Sequence, residues 1–204
     1  MKYRFIIFTL LMFAFMVPFT SAKPVKTIVN LKDAIKGETT ASAKYAAYAK
    51  KARAEGFAKI AVLFDAASKS EGIHAANHRS VLEDMGETLA AIKPEFTVKS
   101  TKENLEDAIK GESYEVATMY PDFLKAAATE KAALASVSMN YAYRTEQRHK
   151  VLYETALKAL TSKKESTLPG QYLVCPTCGN TYEANVPNRC GICMTGKDRF
   201  LTVK

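Results

Sequence analysis

Leu31-Lys-Asp-Ala-Ile-Lys-Gly-Glu38 recurs 74 residues later as Leu105-Glu-Asp-Ala-Ile-Lys-Gly-Glu112. A second pair follows, Glu71-Gly-Ile-His74 and Glu146-Gln-Arg-His149, now 75 residues apart. Each half therefore carries one Glu and, 33 or 34 residues on, a Glu-x-x-His. Self-similarity of this kind marks a duplicated supersecondary unit. Between the motifs the chain is rich in Ala, Lys, Glu, Leu and Met, with few β-branched runs, which favours helix. The pattern predicts helices over 29–55, 57–85, 101–128 and 130–160. Gly56 breaks the first pair, and 86–99, with Pro94, connects the halves. Thr101-Lys-Glu-Asn104 offers cap residues for the third helix, which Pro121 should kink or close. Two hairpins joined by a long crossover make a four-helix bundle.

Residues three apart on a helix share a face, so each Glu-x-x-His aims a carboxylate and an imidazole at one point. Two such pairs plus one Glu from each remaining helix form the ligand set of ferritin-like, carboxylate-bridged di-iron bundles. Here that set is Glu38, Glu71, His74, Glu112, Glu146 and His149. Carboxylate and imidazole suit iron or manganese, and shared carboxylates can hold two cations together. One Glu-x-x-His alone would read as a solvated helix face; two in register with matching Glu residues do not.

Glu115 breaks the symmetry, because its counterpart in the first half is Ala41. One hairpin thus has a seventh candidate ligand. Tyr45 and Tyr120 follow Glu38 and Glu112 by seven and eight residues, close to the same helical face. A buried hydroxyl there needs a partner, which a ligand carboxylate could supply, although core packing explains the spacing equally well. His78, one turn beyond His74, either stands behind the ligands or is simply exposed, and the second reading is favoured.

Composition changes after Leu160. A polar linker leads to Cys175-Pro-Thr-Cys178 and, after eleven intervening residues, Cys190-Gly-Ile-Cys193. Two such knuckles can deliver four thiolates to one zinc or iron ion. Disulfides compete in an oxidising compartment, but a tail this short needs a staple and paired knuckles favour a metal.

At the other end, Lys2 and Arg4 precede the apolar run Phe5 to Phe19, then Thr20-Ser21-Ala22. That order is a secretory leader, with cleavage expected after Ala22. As a helix the run would reach about 22 Å, short of the roughly 30 Å bilayer core, so a stable span is not expected once it is removed. The alternative is an uncleaved membrane anchor. The expected organisation is a leader over 1–22, the bundle over 23–164 and the small metal module over 165–204. With 48% hydrophobic and 25% charged residues in 204, the chain is globular rather than disordered. Its net charge of +8 is spread along helices, so no nucleic-acid partner is expected.

Together these motifs resemble the rubrerythrins over roughly residues 28–203. The markers are Gly37-Glu38, Glu71-x-x-His74-Ala75, Gly111-Glu112-Ser-Tyr-Glu115 with Met119-Tyr120-Pro121, Glu146-x-x-His149, and the two knuckles. The resemblance implies a mainly α protein: a ferritin-like four-helix bundle followed by a small rubredoxin-like β domain. It implies two non-haem irons in the bundle and one iron at Cys175, Cys178, Cys190 and Cys193, where zinc is the alternative. It further implies a peroxidase that reduces hydrogen peroxide with electrons relayed through the four-Cys iron. Glu71 and Glu146 match the bridging ligands, Glu38 and Glu112 the terminal ones, and His149 a ligand of one iron. Glu115 and His74 match a pair that exchanges places on the other iron, and Tyr45 and Tyr120 match pocket tyrosines. A homodimer is implied, one subunit's tail serving the other's di-iron centre, with a redox donor that the sequence does not name. The second knuckle departs from the family pattern, with Gly191 and Met194 in place of its usual Pro and Gly or Ala. Export to the periplasm would call for a donor other than cytoplasmic nicotinamide-linked ones. The competing readings are a ferroxidase or iron-handling protein, and a structural or interaction protein with zinc in its tail.

Overall fold

The computed structural model describes residues 22–183 and 185–204; the expected leader lies outside them except for Ala22. The elements are α1 (Val25–Ala54), α2 (Ala58–Asp84), α3 (Thr101–Tyr114), a π-helical turn (Glu115–Met119), α4 (Tyr120–Thr129) and α5 (Ala133–Thr161). α1 pairs with α2, while α3 and α4 form one rod beside α5. Residues 85–100 cross between the two hairpins, as the repeat predicts. Among the described residues no helix is long and apolar enough to cross a membrane.

The third rod shows how a one-residue difference between the repeats is absorbed. The hairpin turns correspond at an offset of 75. Phe57 N–H donates to Ala52 O and Ala132 N–H to Ala127 O, each at 2.8 Å. Gly56 and Lys131 both take left-handed backbone, with φ of 86° and 57°. Glu38 and Glu112, however, correspond at 74. The extra residue therefore enters between Glu112 and Ala127, and the π turn there accommodates it, since one added residue widens a single helical turn. Pro121 follows as the second residue of α4, so its missing N–H neither ends nor interrupts the rod.

The duplication also appears in the caps. Glu130, in the second hairpin turn, accepts from Lys26 N–H at 3.0 Å and Thr27 N–H at 2.7 Å at the start of α1. Glu55, in the first turn, accepts from Thr101 N–H at 2.8 Å at the start of α3. Each hairpin thus caps the other's first helix with a carboxylate, which the positive end of a helix favours. The N-cap of α3 is Ser100, one residue before the expected stretch. Ser100 and Glu103 form a reciprocal capping box.

Two apolar clusters sandwich the middle of the bundle. One gathers Tyr45, Tyr48, Phe64 and Tyr153 with Tyr172 and Val174 of the tail; the other contains Leu31, Ile35, Leu82, Tyr120 and Met139. The polar motif residues lie between these seals and are therefore buried.

The tail is a three-stranded antiparallel sheet in the order β2-β1-β3, with β1 Tyr172–Val174, β2 Thr181–Tyr182 and β3 Leu201–Val203. Its knuckles share one backbone pattern. Gly179 N–H donates to Cys175 O at 2.9 Å and Met194 N–H to Cys190 O at 3.0 Å. Gly179 (φ 80°) and Met194 (φ 64°) occupy the same left-handed position.

Candidate metal centres

All six repeat residues converge in one buried locus. Glu38, Glu71, His74 and Glu146 place ligand atoms within 4.8 Å of one another, and so do Glu71, Glu112, Glu146 and His149. Glu71 and Glu146 belong to both groups. His74 Nδ1 lies 2.9 Å from Glu71 Oε2 and 2.8 Å from Glu146 Oε1. His149 Nδ1 lies 3.1 Å from Glu71 Oε1 and 2.7 Å from Glu146 Oε2. Each of these two carboxylates therefore faces both imidazoles with different oxygens, the geometry of a carboxylate that can bridge two cations. Glu38 stands on the His74 side and Glu112 on the His149 side.

The donor atoms fit a metal pair. Glu38 Oε2, both oxygens of Glu71, His74 Nδ1, Glu112 Oε2 and Glu146 Oε1 are buried without a hydrogen-bond partner. Buried polar atoms normally find partners, so this many inward-facing lone pairs in one locus point to cations. Without metal, protons must balance the charge. Burial, reinforced by Glu146 and Glu71, pushes Glu38 and Glu112 well above the usual carboxylate range. Burial alone would lower the histidines, but facing carboxylates override it, lifting His74 strongly and His149 to about 10. Burial would likewise raise Glu146, yet the two imidazoles hold it down at about 2.

Glu115 lies at the start of the π turn, half-buried and outside both four-residue groups. Burial, then Glu38 and Glu112, raise its carboxyl well above the usual range, so it faces the same field. Tyr45 and Tyr120 are not mere packing. Tyr45 donates to Glu112 Oε1 at 2.7 Å, and Tyr120 donates to Glu38 Oε1. The hydroxyls thus sit symmetrically on the two outer carboxylates.

His78 is not exposed, contrary to the sequence reading. It is fully buried, with Nδ1 at 2.7 Å from Ser138 Oγ and Nε2 at 3.1 Å from the Tyr120 hydroxyl. Its position seven residues after Glu71 and four after His74 places it on the ligand face, and that periodicity was the available signal. Tyr153 was also missed. It packs against Tyr45 and His149, with ring centroids 5.5 and 6.3 Å apart. It follows His149 by four residues, again on the ligand face.

The second centre is the tail. Its four cysteines are free, and their sulfurs lie within 4.8 Å of one another, with Cys175–Cys193 and Cys178–Cys190 at 3.5 Å. A disulfide requires about 2.05 Å. A tetrahedral metal with sulfur ligands at about 2.3 Å separates them by about 3.7 Å, close to what is found.

The tail closes over the histidines of its own chain. His74 Nε2–H donates to Cys178 O at 3.0 Å, and Thr145 donates to the same carbonyl at 3.3 Å. Ser70 donates to Gly179 O at 2.8 Å, and Asn77 to Thr177 O at 2.8 Å. His149 Nε2 meets Thr181 Oγ1 at 2.9 Å. These contacts leave each Nδ1 for the metal and fix ring orientation, a common arrangement around metal-bound histidine. Within the single chain described, the tail seats on its own bundle. Leu168, Tyr172 and Val174 are buried in the bundle's own apolar cluster, which holds the tail on the helices that precede it.

Comparison with known proteins agrees with this geometry. The family model described as Rubrerythrin matches residues 29–157. Rubrerythrin-2 of Clostridium acetobutylicum is 32% identical over 88% of this chain and 98% of its own length. Nigerythrin of Nitratidesulfovibrio vulgaris is 33% identical over 85% of each chain. The structure of fully reduced, all-ferrous nigerythrin superposes with a TM-score of 0.79 at 32% identity, over 86% of each chain. A bacterioferritin from Desulfovibrio desulfuricans, 17% identical with a TM-score of 0.66, shares the fold over 81% of this chain and 96% of its own. The chain belongs to the rubrerythrin family, with a di-iron site in its bundle and a rubredoxin-like iron at its four cysteines.

Proposed function

We propose that this oxidoreductase is a peroxidase: hydrogen peroxide, two electrons and two protons give two molecules of water. The observation that carries the reading is the hydrogen bond from His74 Nε2 to the carbonyl of Cys178, which joins the two metal centres within one chain. When bound, the iron pair supplies two electrons and polarises the peroxide oxygens, while the four-Cys iron returns electrons one at a time. The chain's own residues do the rest. Glu71 and Glu146 would hold the cations together. Glu38 and Glu112 cap the outer sides, each oriented by a tyrosine hydroxyl. The apolar clusters exclude bulk water. Glu115 would serve as a seventh ligand, trading places with His74 so that the ligand charge could follow the charge of the bound metal. His74 belongs to the converging donor group, and Glu115 lies outside it.

The test uses iron-loaded protein, reduced without oxygen. Peroxide consumed faster than oxygen, with the four-Cys iron oxidised in step and about three irons per chain by the ligand count, is the expected result. Oxygen uptake coupled to added Fe(II) and outpacing peroxide would establish a ferroxidase instead. Zinc at the four cysteines of natively purified protein would remove the relay. Export to the periplasm and assembly as a homodimer belong to the same proposal. N-terminal sequencing that starts at Lys23 would support the first, and a sedimentation mass of two chains the second.

A further inference from the structure

The two halves of the bundle are unequal at one buried asparagine. Asn30 and Asn104 correspond at the offset of 74, one residue before Leu31 and Leu105, and each is 1% exposed. Asn104 clamps the non-helical crossover that runs into its own helix. Lys99 N–H donates to Asn104 Oδ1 at 2.9 Å, and Asn104 Nδ2 donates to Lys99 O at 3.1 Å. One residue of the crossover is thereby held by both of its main-chain groups. Tyr48 adds a hydrogen bond to Thr97 O at 3.3 Å. Asn30 Nδ2, by contrast, is buried without a partner.

What the second half fills, the first leaves open. Asn30 lines a groove of about 450 Å³ along α1 and α4, with Lys26, Phe123, Lys125 and Thr129. Phe123 matches Tyr48 at the offset of 75 and is half-buried, whereas Tyr48 is covered. The preceding segment does not enter this groove, because α1 starts two residues earlier in the repeat than α3. Val25, the match of Lys99, is already wound into the helix, and the Lys23 ammonium is bonded to Glu87 at 2.6 Å. Val25 and Val29 stay 62% and 45% exposed, where the second half has Lys99 and Glu103. Charges of both signs stand at the rim, Lys26 and Lys125 against Asp122, so the groove does not select a simple anion. A buried amide with no partner costs stability that a leucine would not, and its presence calls for a ligand.

We propose that this groove is a peptide-binding site for a non-helical segment of a partner protein. One residue of that segment gives its C=O to Asn30 Nδ2 and its N–H to Asn30 Oδ1, as Lys99 does for Asn104. An apolar side chain of the same segment covers Phe123, and its neighbours reach Val25 and Val29. Main-chain pairing supplies affinity and the apolar contacts supply selectivity, as in other sites that read an unwound peptide. The inference is independent of the peroxidase reading and of both metal centres.

The probe is the crossover's own sequence, a capped peptide spanning Pro94–Ser100, added to zinc-loaded protein whose asparagines carry a nitrogen label. The side-chain amide signal of Asn30 should shift saturably as peptide is added. Asn30→Leu should weaken binding at least about tenfold, the worth of one or two hydrogen bonds. Asn104→Leu should leave it unchanged. A second measurement needs no peptide. Asn30→Leu should raise the melting temperature by removing an unpaired amide, while Asn104→Leu should lower it by cutting the clamp. Metal content should be the same in both variants. A loss of stability in Asn30→Leu as large as in Asn104→Leu would show the amide already satisfied within the fold, and would overturn the site. So would an Asn30 signal that stays put at millimolar peptide. Equal shifts with acetate or benzoate would make the groove a pocket for small carboxylates and overturn it as well.

Discussion

His74 Nε2 lies 3.0 Å from the carbonyl oxygen of Cys178, so a ligand of one metal centre is bonded to the backbone of a ligand of the other. Gly179 makes this approach possible. A Cβ there would stand 2.4 Å from His74 Nε2 and 2.6 Å from Ser70 Oγ, on backbone with φ of 80°. Gly179→Ala should therefore lift the knuckle from the bundle and cost at least about 1–2 kcal/mol for the left-handed backbone alone. Stopped-flow reduction of the di-iron centre by the reduced tail should slow, while the visible spectrum of the four-Cys iron persists. An unchanged transfer rate would show that this contact does not carry electrons.

In the metal-free protein, pH should act through the histidines. His149 is raised from 6.5 to about 10, so its stabilising contribution is complete below 6.5 and lost as pH rises through 10. Glu38, Glu112 and Glu115, raised by burial, act with the same sign: the fold prefers them protonated and weakens as pH climbs past their ordinary range. Glu146, held near 2, opposes only below the ordinary carboxylate range. The melting temperature of metal-free protein should fall between pH 6.5 and 10, by about 2–4 °C per kcal/mol lost. Zinc-loaded protein should show a flatter profile. A metal-free profile that rises over that interval contradicts the assignment of protons to these groups.

Glu112→Gln exchanges a carboxyl that burial disfavours for a neutral amide that still accepts from Tyr45. The metal-free form should gain about 1 kcal/mol, the cost of a strained functional group being relieved. Metal capacity of the bundle should fall from two ions toward one. Titration with Co(II), followed by denaturant unfolding of the metal-free form, checks both halves.

Glu115→Ala should leave the bundle folded and its iron content intact, because Glu115 lies outside both ligand groups in this geometry. Peroxide turnover should drop, by about tenfold or more if the carboxylate stabilises the oxidised pair. Full turnover at full iron occupancy rules out the exchange with His74.

Met194 takes the left-handed position that Gly179 holds in the first knuckle, with φ of 64°, and it is exposed. Met194→Gly should stabilise the metal-bound tail by about 1 kcal/mol, since the methionine loses no buried contact on removal. Loss of thiolate-to-metal absorbance in denaturant measures it, and a lower midpoint would show that the side chain packs usefully.

Much of this protein is written in its repeat. The four rods, the crossover, the six bundle ligands and the four cysteines follow from spacing, because a helix converts an interval of three or four residues into a shared face. The offset change from 74 to 75 even records the π turn, although only the backbone shows that the turn falls at Glu115–Met119 rather than in the hairpin loop. The cap at Ser100 was missed by one residue, as helix ends are set by local bonds that several neighbours could make.

The sequence by itself determined which side chains would gather and which metals they suit, since both depend on residue type and helical interval. Only the tertiary structure decided what surrounds them. His78 reads as solvent-facing until α5 brings Ser138 and the third rod brings Tyr120 against it. The tail's seat on its own histidines depends on Cys178 and Gly179 carbonyls meeting donors more than a hundred residues away along α2. Burial and long-range hydrogen bonds arise from where helices pack, and no interval along one chain segment encodes that placement.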